Sequence, residues 1–238
     1  MPTLGIIGSG NIGSGVARLA VAAGMNVVIA NSRGPESLQD LVAEFGPLAQ
    51  AGTVEDAAKL GDAVVLSIPL KAVQELPEGL LEGRFVLDTS NYYPSRDGRI
   101  AELDAGTVTT SELVSGWLPG VRYVKAFNNI LAHHLPQLAR PSGAPDRSAL
   151  PIAGDDDQAK AEAQAIIDAL GYDTVDAGPL SESWRFEPES AGYTRIYLAD
   201  PNTPDDQLLS SVPGPTPADR VESALASASR VNVADRVF

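Results

Sequence analysis

Thr3-Leu4-Gly5-Ile6-Ile7-Gly8-Ser9-Gly10-Asn11-Ile12-Gly13 decides the fold. Thr3 to Gly8 reads as a short buried strand, and Asn11 to Ala23 has helical composition ending at Gly24, a residue suited to a left-handed cap. Between them, Gly8-Ser9-Gly10-Asn11-Ile12-Gly13 carries the glycine spacing of a dinucleotide-binding turn. Gly8 permits the tight turn, Gly10 lets the backbone approach a diphosphate, and Gly13 lets the helix pack close on the strand. The spacing alone would equally suit a strand–helix turn with no ligand. Its placement between a strand and a helix favours the nucleotide.

The same alternation runs outward from this turn. Asn26 to Ala30 forms the second strand, and Ser37 to Phe45 places Leu38, Leu41, Val42 and Phe45 at helical spacing. Thr53 and Asp56 have capping-box spacing for a short helix. Strands follow at 63–68, 84–88 and 122–126. Helices are predicted over 53–60, 70–82, 110–117 and 127–138. After a loop at 140–148, a strand at 150–153, a helix at 155–170 and a strand at 173–176 complete the pattern. Strands alternating with helices imply an α/β, Rossmann-type doubly wound fold with a mostly parallel sheet. Residues 1–178 are therefore assigned to a nucleotide-binding domain and 179–238 to a smaller C-terminal extension. Within the extension, 201–217 is proline-rich, and 218–231 is amphipathic with Val221, Leu225 and Ala228 on one face. It is expected to cover a substrate pocket or to serve as the arm of a homodimer.

The 238 residues carry 31 acidic and 17 Lys or Arg side chains, a formal charge of -14. Such a field repels nucleic acid and anionic membrane, so neither is an expected partner. An anionic ligand must then be held by a local device, a helix N-terminus or a placed arginine. With no cysteine in the chain, disulfides, iron–sulfur clusters and thiol nucleophiles are excluded, and redox chemistry needs a carried cofactor. No apolar run reaches the ~18 residues of a spanning helix, and Met1 to Gly10 lacks a basic leader, so a cytoplasmic protein is expected.

The choice between NAD and NADP rests on the end of the second strand. NAD binders place a carboxylate there for the ribose hydroxyls. This chain has Asn31-Ser32-Arg33 instead, two hydrogen-bonding side chains and a guanidinium suited to a 2′-phosphate. NADP(H) is the expected cofactor. Ser67-Ile68-Pro69, ending the fourth strand, should face the same crevice.

Three stretches together resemble the NADP oxidoreductases that use the deazaflavin coenzyme F420. They are Gly8 to Gly13, Asn31-Ser32-Arg33 with Gly34-Pro35-Glu36-Ser37-Leu38, and Val124-Lys125-Ala126-Phe127-Asn128-Asn129. The likeness spans roughly residues 3–180 and includes Gly154-Asp155-Asp156 and Leu170 to Leu180. It implies hydride exchange between a nicotinamide and a second redox molecule, with coenzyme F420 the favoured single candidate. It also implies that Lys125 to Asn129 lies near the nicotinamide. After Leu180 the chain departs from the compact helical end expected of that family.

Pocket candidates are Asn91, Tyr92, Lys125, Asn128, His133 and His134, and no catalytic residue is assigned. Lys125 reads equally as a strand-end lysine reaching for water. As neighbours on a predicted helix, His133 and His134 should point apart, which argues against a shared metal site, and none is expected. Direct ring-to-ring hydride transfer needs no side-chain proton donor. Reduction of a small carbonyl or imine does, and only His133, His134, Tyr92, Tyr93 and Tyr193 offer one. A redox sensor that binds NADP(H) without turnover is the reading from a different class.

Overall fold

A computed structural model describes residues 2–236. The chain runs β1 (Thr3–Ile7), α1 (Asn11–Ala22), β2 (Asn26–Ala30), α2 (Gln39–Phe45), β3 (Ala49–Ala51), α3 (Val54–Leu60), β4 (Ala63–Leu66), α4 (Leu70–Val73), β5 (Phe85–Asp88), α5 (Pro94–Asp97), α6 (Ala101–Asp104), α7 (Thr110–Trp117) and β6 (Arg122–Lys125). Then follow α8 (Leu135–Leu138), β7 (Ala149–Ile152), α9 (Asp157–Ala169), β8 (Asp173–Asp176) and α10 (Ala218–Ser227), interspersed with 3-10 turns.

Six strands form one parallel sheet in the order β3-β2-β1-β4-β5-β6. The order reverses at β1, which pairs with β2 on one side and β4 on the other. In an open α/β sheet that reversal leaves a crevice beyond the strand carboxyl ends. Strand alternation divides the apolar side chains between two layers. Ile6, Val65, Leu87 and Val124 pack with Val16 and Ala20 of α1, while Val64, Leu66 and Val86 pack with Ala57 of α3 and Val114 of α7. Both faces are thus covered, as the continuous apolar strands require.

β7 and β8 form their own two-stranded parallel ribbon. It meets the main sheet through one antiparallel bridge, Lys125 with Ala153. The helix expected from Asp155 begins at Asp157, because the Asp156 carboxylate caps it by accepting from the Gln158 and Ala159 amides at 2.8 and 3.2 Å. α10 docks on this ribbon within its own chain, burying Val221 and Leu225 against Ala149, Val175 and Phe186. Its apolar face is thus used within the chain.

Two predicted helices are shorter than their sequences suggested. Over 70–82 only Leu70–Val73 is helical, and Pro77 and the left-handed Gly79 (φ +72°) turn the chain. Over 127–138 only Leu135–Leu138 is helical. Phe127 takes φ +60°, and the Asn128 and Asn129 amides donate to the Phe186 and Gly192 carbonyls at 2.9 and 2.8 Å. Those side-chain bonds hold the segment in turns against its helical composition.

Candidate functional site

The glycine turn lies where β1 enters α1, and its glycines have different tasks. Gly8 adopts φ +115°, and a Cβ there would stand 2.0 Å from the Ser67 carbonyl oxygen. A Cβ on Gly13 would stand 2.0 Å from the Gly8 carbonyl oxygen. Both are required by packing alone. A Cβ on Gly10 would meet nothing within 4 Å, so the fold itself does not require that glycine. No side chain caps α1, and no acidic residue occupies its first turn. Its leading amides therefore present unpaired donors and the positive end of the helix dipole.

These amides border a cleft of about 880 Å³, within the size range of cofactor sites. Gly10, Asn11 and Ile12 line one side, Ser67-Ile68-Pro69 and Thr89-Ser90-Asn91 the strand ends, and Tyr93, Asn128, His133 and Tyr193 the far side. Not one lining residue is acidic, although the chain carries 31 acidic side chains, and Arg18 and Arg96 are among the walls. Both arginines are ion-paired, Arg18 to Glu44 at 2.6 Å and Arg96 to Asp97 at 2.8 Å, so the donors left open to an anion are the leading amides of α1.

Asn31, Ser32 and Arg33 sit outside these walls, at the exposed end of β2. Asn31 braces the two turns: its amide donates to Ser9 Oγ (3.2 Å) and Ser37 Oγ (3.0 Å), and its oxygen accepts from the Arg33 backbone N–H (2.9 Å). Among the described residues the Arg33 guanidinium enters no ion pair, and its loop is tied through Asn31 to Ser9 in the glycine turn.

At the other end, Asn91 and Asn128 clasp each other. Asn91 Nδ2 donates to the Asn128 carbonyl (2.7 Å), and Asn128 Nδ2 donates to Asn91 Oδ1 (3.1 Å) and to the Phe186 carbonyl (2.9 Å). With its amide hydrogens committed, Asn128 is left with a buried Oδ1 that has no partner. Asn128 is thus a cleft-lining residue whose buried carboxamide oxygen keeps its acceptor capacity. The Tyr93 and Tyr193 hydroxyls stand 2.6 Å apart beside it. Burial, with the nearby Tyr93, pushes the Tyr193 phenol well above its ordinary range.

Three pocket candidates lie elsewhere. Tyr92 is fully buried on the opposite side of the chain from Asn91 and Tyr93, donating to Asp104 (2.9 Å) and accepting from the Ile100 amide (3.0 Å). Lys125 is neither in the cleft nor in water. Its ammonium is fully buried against Asp88 at 3.0 Å and donates to the Ser90 carbonyl. Asp88 also accepts from the Ser90 amide (3.1 Å) and hydroxyl (2.6 Å), so the ion pair holds the Thr89–Asn91 wall from behind. His134 is buried, and the histidines converge instead of pointing apart, because they occupy a turn and not a helix. Their rings are 4.2 Å apart, and both Nε2 atoms reach the Ser211 carbonyl, at 3.2 Å from His133 and 3.0 Å from His134. A carbonyl only accepts, so both Nε2 atoms carry hydrogen. His133 borders the cleft. Among the described residues no group of three or more His, Cys, Asp or Glu is placed to hold a metal ion, and no helix is long and apolar enough to cross a membrane.

Residues 3–92 match the model of the family described as NADP oxidoreductase, coenzyme F420-dependent. A solved structure of a hypothetical protein, SMa0349 from Sinorhizobium meliloti, is 31% identical, with 79% of this chain and 91% of that chain covered at a TM-score of 0.67. The family match covers 90 of the 238 residues, the N-terminal part of the chain that holds the glycine turn. A structure from Arthrobacter sp. FB24 described as an F420-dependent NADP-reductase shares the fold at 21% identity and TM-score 0.62, covering 77% of this chain and 87% of that one. Among curated proteins, glyoxylate reductase of Thermococcus gammatolerans is 34% identical over 119 residues, 50% of this chain and 33% of its own. Metalloreductase STEAP3 of Rattus norvegicus is 28% identical over 188 residues, 78% of this chain and 36% of its own. The chain spans about a third of the length of these curated relatives. The family match contains the glycine turn, Arg33, Ser67 to Pro69 and Asn91, and stops short of Asn128, His133 and Tyr193. Arg18, Arg96, Thr89, Ser90 and Leu209, also lining the cleft, carried no signal in the sequence, since each stands outside any spaced motif.

Proposed function

We propose that this chain is an NADP(H)-dependent oxidoreductase that carries hydride between a nicotinamide and a second redox molecule, with coenzyme F420 the favoured single partner. The observation that carries this reading is an acid-free cleft, in a chain of charge -14, bordered by the uncapped start of α1 and an unobstructed Gly10. The amides of Gly10 to Gly13 would hold the diphosphate, and Ser32 and Arg33 the 2′-phosphate. Ile68 and Pro69 would pack against the ribose and nicotinamide, and Asn128 Oδ1 would accept from the carboxamide. Bound there, the cofactor supplies a hydride at its nicotinamide ring. The protein's part is to align that ring with its partner and to exclude water.

The test mixes the protein, NADPH and oxidised coenzyme F420 and follows both chromophores. Equal loss of the two supports direct exchange between the rings. Tight NADPH binding without turnover on deazaflavin, flavin, quinone or ferric acceptors would point to a sensor. A second reading, reduction of a small carbonyl or imine, is favoured by one specific observation: two phenol hydroxyls, Tyr93 and Tyr193, meet at the far wall of the cleft.

A further inference from the structure

We infer that Tyr93 and Tyr193 form a proton-donating pair that equips the nucleotide cleft to reduce a polar double bond, C=O or C=N, in a small acceptor. The inference rests on the proposed NADP(H) reading. It starts from residues far apart in the chain: Tyr93 precedes α5, and Tyr193 belongs to the C-terminal extension. Both line the cleft, and their hydroxyl oxygens are 2.6 Å apart. Asn91 Nδ2 lies 3.4 Å from each, while its own strong bond goes to the Asn128 carbonyl at 2.7 Å. The residue carrying the unpaired carboxamide acceptor is therefore tied directly to the one that borders the phenols, so a nicotinamide and an acceptor beside it would share this end of the cleft.

Two adjoining phenols suit proton transfer better than one. Of two hydroxyls in contact, one donates to the other, and the second keeps its hydrogen for a ligand. When the acceptor's carbon takes the hydride, the electron pair of its C=O or C=N bond moves to the heteroatom, which takes a phenol proton. NADPH becomes NADP+, the double bond becomes C–OH or C–NH, and one phenolate remains. The neighbouring phenol relays a proton from water to restore the pair. The Arg96 guanidinium lies 4.8 Å above the Tyr93 ring and is held there by its ion pair with Asp97 at 2.8 Å. Burial, which holds Tyr193 as the neutral phenol to high pH, keeps the donor loaded.

Packing would give the same contact without the chemistry, and phenylalanine separates the two by keeping the ring and removing the hydroxyl. Tyr93→Phe, Tyr193→Phe and the double variant are tested with NADPH and three acceptors: glyoxylate, 1-pyrroline and coenzyme F420. NADPH affinity by nicotinamide fluorescence is expected within about threefold of the parent, because the phosphate turn is untouched. With glyoxylate or 1-pyrroline, kcat should fall roughly 100-fold in either variant, the size of a lost general acid. The solvent deuterium effect on turnover should vanish, while turnover with coenzyme F420 changes little. A readout independent of activity is the alkaline titration of tyrosinate absorbance: removing either hydroxyl should shift ionisation of the other. Absence of turnover on both C=X probes while NADPH binds would overturn the pair's role. So would turnover that both phenylalanine variants leave intact. Failure to bind NADPH would instead overturn the nucleotide reading beneath it.

Discussion

Gly10→Ala should move stability and cofactor affinity in opposite directions. Gly10 sits at φ -72°, ψ -174°, a conformation any residue adopts, and a methyl there touches nothing within 4 Å. Replacing glycine by alanine at a compatible position stabilises by about 0.4–1 kcal/mol through the unfolded chain. In a protein of this size that raises Tm by roughly 1–4 °C. The space that receives the methyl is the space proposed for a diphosphate. Forcing a methyl into a fitted contact costs about 1–3 kcal/mol, a loss in NADPH affinity of roughly five- to 150-fold. Thermal unfolding without ligand and fluorescence titration with NADPH measure the two halves. Gly13→Ala is the control, because its methyl would lie 2.0 Å from the Gly8 carbonyl oxygen and must disturb the fold. A Gly10→Ala protein that is more stable and binds NADPH as well as the parent would refute the placement of the phosphates at this turn.

Arg33→Glu should weaken NADPH roughly 100-fold, the value of a charge-assisted phosphate contact, and leave NADH within about threefold; parallel titrations check it, and equal losses would remove the specificity argument. Lys125→Met should lower stability by about 3–5 kcal/mol in urea unfolding, since it strands the fully buried Asp88 carboxylate. Adding Asp88→Asn should recover much of that loss, and a single-variant loss under ~1 kcal/mol would show the pair is not needed. His134 supplies a pH dependence: burial lowers its imidazole from the ordinary 6.5, and its buried Nδ1 has no partner for a second proton. The folded state therefore binds fewer protons, and the stabilisation, complete above about pH 6.5, is lost as pH falls towards the lowered value. His134→Gln should flatten that slope in unfolding measured between about pH 7 and 5.

The sequence made legible what depends on neighbours along the chain. The strand–turn–helix at Thr3–Ala22 and the capping box at Thr53 are local, and the structure has both. Just past β5, Asn91 and Tyr93 line the cleft while Tyr92 between them is buried against Asp104 and the Ile100 amide. Lys125 was not legible. Its partner, Asp88, is 37 positions away on the neighbouring strand, and only the β5–β6 register, Asp88 opposite Lys125, brings them together. The histidine pair failed for a related reason. Side-chain bonds from Asn128 and Asn129 to Phe186 and Gly192 override the local helical preference, and those partners are 58 and 63 residues distant.

These distant contacts account for the division between the two halves of the site. The proposed nucleotide half is made of backbone amides and strand ends fixed by local sequence, and it coincides with the part the family model matches. The rest of the cleft draws Tyr193 and Leu209 from beyond the regular alternation, and Asn128, also in its wall, is pinned to Phe186. Diphosphate recognition needs amides and little else, so many sequences preserve it. An acceptor wall made of side chains from a separate segment changes whenever that segment does. Resemblance therefore carries the family and its nucleotide further than it carries the acceptor. The phenol pair, half of it supplied by the extension, is the place where chemistry particular to this chain should be sought.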